Sequence, residues 1–220
     1  MGGAATLATI SMLPPKMLRF VPDDRYTLEQ YLAIERETGK RYEYHDGHLI
    51  SVERMAGGSP NHSRLSANAI KLSGYGIDAA ENESGRLSDC DAHTSDLRIS
   101  VDSGRRYLYA DAVIVCGAIE YDTVIPTAIV NPITVFEVIS PSSEGYDRGL
   151  KFDFYGALDS VREYVLVDQE RRRVEVRHRT GPGAPWQHTV VVEESGACPI
   201  PSLGFSLAMS RLYRNWEAPA

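Results

Sequence analysis

The sequence predicts an α/β domain of the α+β kind: a mixed β-sheet flanked by helices, preceded by an N-terminal helix and a β-hairpin. Three observations carry this. Residues 107–116 and 133–139 are short apolar runs rich in β-branched residues, the composition of buried strands. A helical pattern follows the second run from about Ser143. From residue 163 onward, apolar and polar residues alternate as in antiparallel strands with one wet face.

Taken in order, residues 1–18 are Ala/Thr/Leu-rich with little amphipathic pattern and no basic stretch before their apolar part. They read as a disordered leader rather than a signal peptide, with a single domain expected over residues 19–215. Thr27 N-caps a helix carrying Leu28, Tyr31, Leu32 and Ile34, and Gly39 ends it. Residues 41–54 alternate around His45-Asp-Gly-His48, an Asp-Gly hairpin signature. Gly57-Gly-Ser-Pro60 is a loop, and Leu65, Ala69 and Leu72 mark a helix over residues 61–72. Residues 81–91 are polar and read as a turn or an edge strand. Residues 95–101 alternate as a strand, and Gly104 turns it into the 107–116 run. Ser-Pro-Ser-Ser closes the 133–139 strand; Leu150, Phe154, Ala157 and Leu158 then form the stripe of a helix that starts near Ser143 or Asp147. Strands follow at 163–168, 174–179 and 186–192, with a terminal extension at 203–212.

Two of these strands carry a misplaced charge. Asp111 lies in the first apolar run and Glu137 in the second, and a buried carboxylate is costly unless it is paired or binds a cation. With a period of two, Asp111 shares a face with Val113 and Val115, and Glu137 with Val135 and Ile139. Neighbouring strands would bring both acids to one point. Lys151, on the side of the next helix that also carries Tyr155, can reach back toward the end of the Glu137 strand. Asp, Glu and Lys at a sheet edge suit metal-dependent phosphodiester cleavage. The carboxylates hold Mg²⁺ or Mn²⁺, and the lysine steers water or offsets charge. A buried structural ion triad is the plainer reading of the same three residues.

The residues also carry a family resemblance. Tyr42-Glu-Tyr-His-Asp-Gly47, His62-Ser-Arg-Leu-Ser-Ala-Asn68, Ser95-Asp-Leu-Arg98, Tyr109-Ala-Asp-Ala-Val-Ile-Val-Cys116, Phe136-Glu-Val-Ile-Ser-Pro-Ser142, Tyr146-Asp-Arg-Gly-Leu-Lys-Phe152, Arg162-Glu-Tyr-Val-Leu-Val-Asp168 and Pro201-Ser-Leu-Gly-Phe205 resemble the Uma-two family of restriction endonucleases, within the PD-(D/E)XK nuclease superfamily. The resemblance spans about residues 25–213. It implies a restriction-endonuclease-like core, a divalent metal and a DNA substrate. Asp111 and Glu137 would ligate the metal with the Val138 carbonyl as a third ligand, and Lys151 would position the attacking water. The superfamily's lysine usually follows the acid by two residues, a position held here by Ile139, and the usual proline before the first Asp is Ala110. The resemblance also implies a supporting acid from the N-terminal region, Glu43, whose plainer reading is a surface hairpin acid paired with Arg41 or Lys40. His62 is expected as a structural histidine or a phosphate contact, Tyr155 as packing beside Lys151 or touching phosphate. Asp96 is expected as a polar-face residue beside Arg98. Arg148, Arg171, Arg172 and Arg173 are candidate DNA-backbone contacts, against a solvated hairpin face.

The 220 residues carry 23 basic and 30 acidic side chains, a net charge of −7. That balance opposes wide DNA binding, which comes mainly from phosphate neutralisation, and leaves room for a narrow site. Three cysteines without metal spacing predict a reducing, cytoplasmic setting, with Cys116 in the core. No stretch is long enough to span a membrane. A homodimer is expected from the pairing habit of restriction enzymes. The function expected is a divalent-metal-dependent endodeoxyribonuclease. The alternative is a non-cleaving nucleic-acid-binding or assembly protein on the same fold, a mobile-element remnant.

Overall fold

Thr27 opens α1 (Leu28–Thr38) with a capping box: its Oγ1 accepts from Gln30 N, and Gln30 Oε1 accepts from Thr27 N. Gly39 ends the helix at φ 64°, a left-handed conformation open to glycine. The computed structural model describes residues 25–52, 59–84, 89–192 and 194–219. The expected leader and Gly57 and Gly58 of the expected loop lie outside the described residues. β1 (Tyr42–His45) and β2 (His48–Ser51) form the expected hairpin, with Asp46 and Gly47 at φ 49° and 97° in its turn.

The helix expected over 61–72 is part of α2 (Pro60–Ser84), 25 residues long. Residues 81–84, read as turn, are its last turn, because a helix on a sheet needs only one apolar stripe, here Leu65, Ala69 and Ile77. β3 (Cys90–Thr94) is an edge strand. Ser95 and Asp96 make a turn, so β4 (Arg98–Asp102) starts later than the alternation implied.

The run over 107–116 is not one strand. β5 (Arg106–Tyr109) and β6 (Ala112–Cys116) lie in different sheets, and the chain crosses between them at Ala110 and Asp111. Further on come β7 (Ala128–Ile129), β8 (Pro132–Ile139), β9 (Glu163–Asp168), β10 (Val174–His178), β11 (Gln187–Val191), β12 (Ala197–Ile200), β13 (Phe205–Ala208) and a short α5 (Met209–Leu212). One sheet has the order β2-β1-β5-β4-β7 and the other β11-β10-β9-β8-β6-β3; β12 and β13 form a separate hairpin. Both large sheets are mixed: β4 and β7 pair in parallel, as do β8 and β9.

The six-stranded sheet has two buried faces. Phe136, Val138, Ala112, Ile114, Val165 and Val167 pack with α2 and the β12–β13 hairpin. Val135, Ile139, Val113, Val115, Tyr164 and Leu166 pack with Ile99 and Leu108 of the other sheet and with Tyr155. Glu137 takes an odd position on this second face and is 3% exposed. An apolar side chain there would contribute about 1.5–3 kcal/mol by burial, so the carboxylate is held at the expense of stability.

After β8 the chain runs as α3 (Glu144–Tyr146), a π-helical turn (Asp147–Lys151) and α4 (Phe152–Gly156). The wide turn shifts the helical phase, correcting the expected stripe. Of that stripe Leu150 is exposed while Phe154 and Leu158 pack against the core, and Asp147, Lys151 and Tyr155 are buried. Ser143 occupies the N-cap position, but its hydroxyl bonds with Ser140.

The cysteines also differ from expectation. Cys90 and Cys116 face each other across β3 and β6 and form a disulfide, while Cys198 is free and buried. Cysteine usage therefore gives no support to a reducing compartment, and Cys116 is a half-buried staple rather than a core thiol. Thiol titration of the denatured, unreduced protein should find one reactive group. Reduction should lower the melting temperature by several degrees, since closing a loop of this length stabilises by about 3 kcal/mol. Three thiols before reduction would refute the bridge.

Candidate active site

Asp111 sits at the crossing between the sheets, where β6 has not yet begun. Its backbone N donates to Phe136 O at 3.1 Å, and its Oδ2 accepts from Val138 N at 2.7 Å. The backbone alternation of β8 explains this. Ile133 and Ile139 turn their carbonyls to residues of the β9 side, accepting from Arg162 N and Gln169 N, while Phe136 faces the β6 side. Val138 is in phase with Phe136, so its N–H and carbonyl point to the side where β6 has not yet begun. His62, in the first turn of α2, places Nε2 3.3 Å from Asp111 Oδ2. Among the described residues Asp111 Oδ1 has no hydrogen-bond partner.

Lys151 stands between acids. Its Nζ is 2.9 Å from Glu137 Oε1, 3.2 Å from Glu43 Oε1 and 3.9 Å from Asp147 Oδ1. The Glu137 contact is an ion pair outside hydrogen-bond geometry, leaving that buried oxygen without a donor. Glu43 comes from β1 in the other sheet and is fully buried. Its Oε2 accepts from Tyr146 OH at 2.5 Å and lies 3.3 Å from His45 Nε2; Tyr146 OH and His45 Nε2 are 3.1 Å apart.

The carboxylates diverge in their hold on charge. Burial opposes ionisation of Glu43, but Lys151, His45 and Tyr146 more than offset it, so its pKa is lowered. Glu137 is pushed well above the carboxylate range by burial, with Asp147 and Asp111 adding repulsion that Lys151 only partly offsets. Asp147 is raised, first by burial and then, against the pull of Lys151, by Asp111 and Glu43. Burial works against the charge of Lys151, yet Glu137 and Glu43 hold its pKa well above the usual value.

His62, Asp111, Glu137, Val138, Asp147 and Lys151 line one cavity of about 200 Å³, and Glu43 lies behind Lys151 outside its lining. Three carboxylates, Glu43, Glu137 and Asp147, lie within 4 Å of the one ammonium, and a cation would relieve the repulsion that adds to burial in raising Glu137 and Asp147. Among the described residues no three His, Cys, Asp or Glu side chains form a ready metal cage. Asp111, Glu137 and Val138 line the cavity, and their carboxylate and backbone carbonyl oxygens are donors a cation could meet there. All are hard oxygen donors of the kind Mg²⁺ and Mn²⁺ prefer.

Comparison with known proteins gives the family and the fold. Residues 28–210 match the model of the Uma2 family, described as "Putative restriction endonuclease". The chain belongs to the Uma2 family. Two Synechocystis sp. relatives, slr1290 and sll1609, both described as uncharacterized, are each 30% identical. The first aligns over 88% of this chain and 94% of its own length, the second over 70% and 81%. A crystal structure from Anabaena variabilis, described as a putative nuclease belonging to DUF820, shares the fold with a TM-score of 0.60 at 18% identity. That likeness covers 85% of this chain and 97% of the other.

In this Uma2 protein the remaining expected residues are placed unevenly. His62 lies at the site, against Asp111. Tyr155 is fully buried and packs on Tyr164, which leaves it no access to a phosphate. Asp96 is in a turn and pairs with Arg41, not Arg98; Arg98 pairs with Glu35 of α1. The four arginines proposed for DNA are each engaged by a carboxylate: Arg148 by Glu144 and Glu175, Arg171 by Asp168, Arg172 by Glu194 and Arg173 by Glu175. Sequence reasoning missed Tyr146, His45 and Asp147. A signal was present: His45 follows Glu43 by two on one strand and so shares its face.

Proposed function

We propose that this protein is a divalent-metal-dependent endodeoxyribonuclease. The observation that carries the reading is Lys151, a buried lysine held between Glu137 and Glu43 at the base of a cavity that also holds Asp111. Asp111, Glu137 and the Val138 carbonyl would hold Mg²⁺ or Mn²⁺. Bound there, the ion would supply positive charge to the scissile phosphate and acidify the attacking water. Lys151 orients that water and offsets charge developing on the phosphate. Glu43 acts through Lys151: it keeps the ammonium in place, and Tyr146 and His45 keep Glu43 in place. His62 fixes Asp111 from the other side.

Supercoiled plasmid incubated with the protein should be nicked with Mn²⁺ or Mg²⁺ and left intact with EDTA. Asp111→Asn should remove the activity. Binding of DNA without nicking under any divalent ion would instead favour a non-cleaving protein on the same fold.

A further inference from the structure

A ring of polar contacts closes around the end of β8. Gln169, buried directly after β9, donates its backbone N–H to Ile139 O at 3.2 Å. Its side-chain Oε1 accepts from Ser59 Oγ at 2.7 Å, and that Oγ accepts in turn from His62 N at 3.0 Å. His62 reaches Asp111 through Nε2 at 3.3 Å, and Asp111 returns to β8 by accepting from Val138 N at 2.7 Å. The ring therefore starts at Ile139 and ends on the residue before it. Both of the Asp111 side-chain contacts in it are made by Oδ2, which leaves Oδ1 to a cation.

A second set of contacts holds this ring from outside. After α5 the chain turns at Asn215, whose φ of 60° is a left-handed conformation that asparagine tolerates better than most residues. The turn brings Trp216 and Glu217 against Gln169 and the first turn of α2. Trp216 Nε1 donates to Gln169 O at 2.7 Å. Asn61 Nδ2 donates to Glu217 O at 2.7 Å, and Asn61 Oδ1 accepts from Glu217 N at 3.3 Å. One such bond is a tether, whereas two from one side-chain amide also set its orientation. The Trp216 ring is fixed in its turn, with Arg172 over its face at 5.6 Å and Tyr213 meeting it edge-on at 5.9 Å. Neither Asn61 nor Trp216 lines the cavity. Their polar atoms are aimed instead at the ring: Asn61 is the neighbour of His62, and Gln169 is bonded to Ile139. Apolar docking of the tail alone would need none of these bonds.

We infer that Asn61 and Trp216 are positioning residues for the metal site: through Gln169, Ser59 and His62 they hold Asp111 in the geometry that receives the cation. This rests on the nuclease reading above. Groups bonded to a metal's ligands typically change its affinity by about 10–100-fold, so His62→Ala should weaken Mn²⁺ by about tenfold. Asn61→Ala and Trp216→Phe act a step further out and should each weaken it by about threefold or more. The measurement is a Mn²⁺ titration of the full chain, with the free ion read by electron paramagnetic resonance. Plasmid nicking by the same two variants should lose kcat by a similar factor, with KM for DNA unchanged. Placed in the His62→Ala chain, both substitutions should leave Mn²⁺ affinity where it was, because the path to Asp111 is already cut. Trp216→Phe keeps the ring in its packing and removes only the donor to Gln169, so it carries the test if Asn61→Ala does not fold. Equal weakening in both backgrounds, a His62→Ala chain that binds Mn²⁺ like the wild type, or variants that melt lower with unchanged Mn²⁺ affinity would overturn this inference and leave the nuclease reading standing. A wild type that binds no Mn²⁺ would overturn both.

Discussion

Lys151→Met should abolish metal-dependent cleavage and melt roughly 10 °C below the wild type. The thermal loss follows from what Lys151 leaves behind. Glu43 is fully buried and holds its charge chiefly because the Lys151 ammonium lies 3.2 Å away. Methionine keeps most of the volume but removes that charge, and breaking a buried pair from one side costs about 3–5 kcal/mol. For a chain of this size each kcal/mol moves the melting temperature by about 2–4 °C. Tyr146 and His45 still contact Glu43, which places the loss in the lower half of the resulting range of about 6–20 °C. Calorimetry and the plasmid assay read the two effects. A variant that melts with the wild type would show that Glu43 does not depend on Lys151, and one that still cleaves would remove Lys151 from the mechanism.

Glu137→Gln should behave in the opposite way toward stability. Glutamine has nearly the same volume and no charge. Lys151 keeps Glu43 at 3.2 Å and Asp147 at 3.9 Å, so its ammonium is not stranded. Asp111 and Asp147 lose a repelling neighbour. The apo variant should therefore melt at or above the wild-type temperature, yet show no cleavage. The wild type should gain about 2.7 kcal/mol at a Mn²⁺ concentration one hundred times Kd, and the variant much less. Melting curves of both proteins with and without Mn²⁺ decide the matter. A strongly destabilised variant beside a metal-insensitive wild type would mean a structural ion cluster and would end the nuclease assignment.

The reach of sequence reasoning differs between the elements. The capping box at Thr27, the Asp46-Gly47 turn and the strands from residue 163 are written in local chemistry, where a side chain bonds its own backbone or alternates across one face. Asp111, Glu137 and Lys151 stand out because each is a charge in an apolar setting. The break between β5 and β6 falls at Ala110 and Asp111, where the charge reads as a site residue inside one strand; the strands on either side are both buried and apolar, so nothing else marks the change of sheet. The Cys90–Cys116 bridge joins β3 to β6 past the whole β4–β5 hairpin, a pairing that depends on topology rather than spacing. Tyr146 and His45 matter only through Glu43, so their role emerges once β1 is packed against the helical segment.

The π-helical turn at Asp147–Lys151 makes the position of the lysine a matter of counting. Each residue added to or removed from a helix rotates everything after it by about 100°. Shortening the segment between Ser143 and Lys151 by one residue would swing the ammonium away from Glu137 and Glu43 and put Phe152 in its place, without changing any side chain proposed to act. Substitutions at Arg148 or Gly149 are thus a milder insult than a one-residue deletion there. In this segment the number of residues sets where the ammonium lies as firmly as the choice of side chain does.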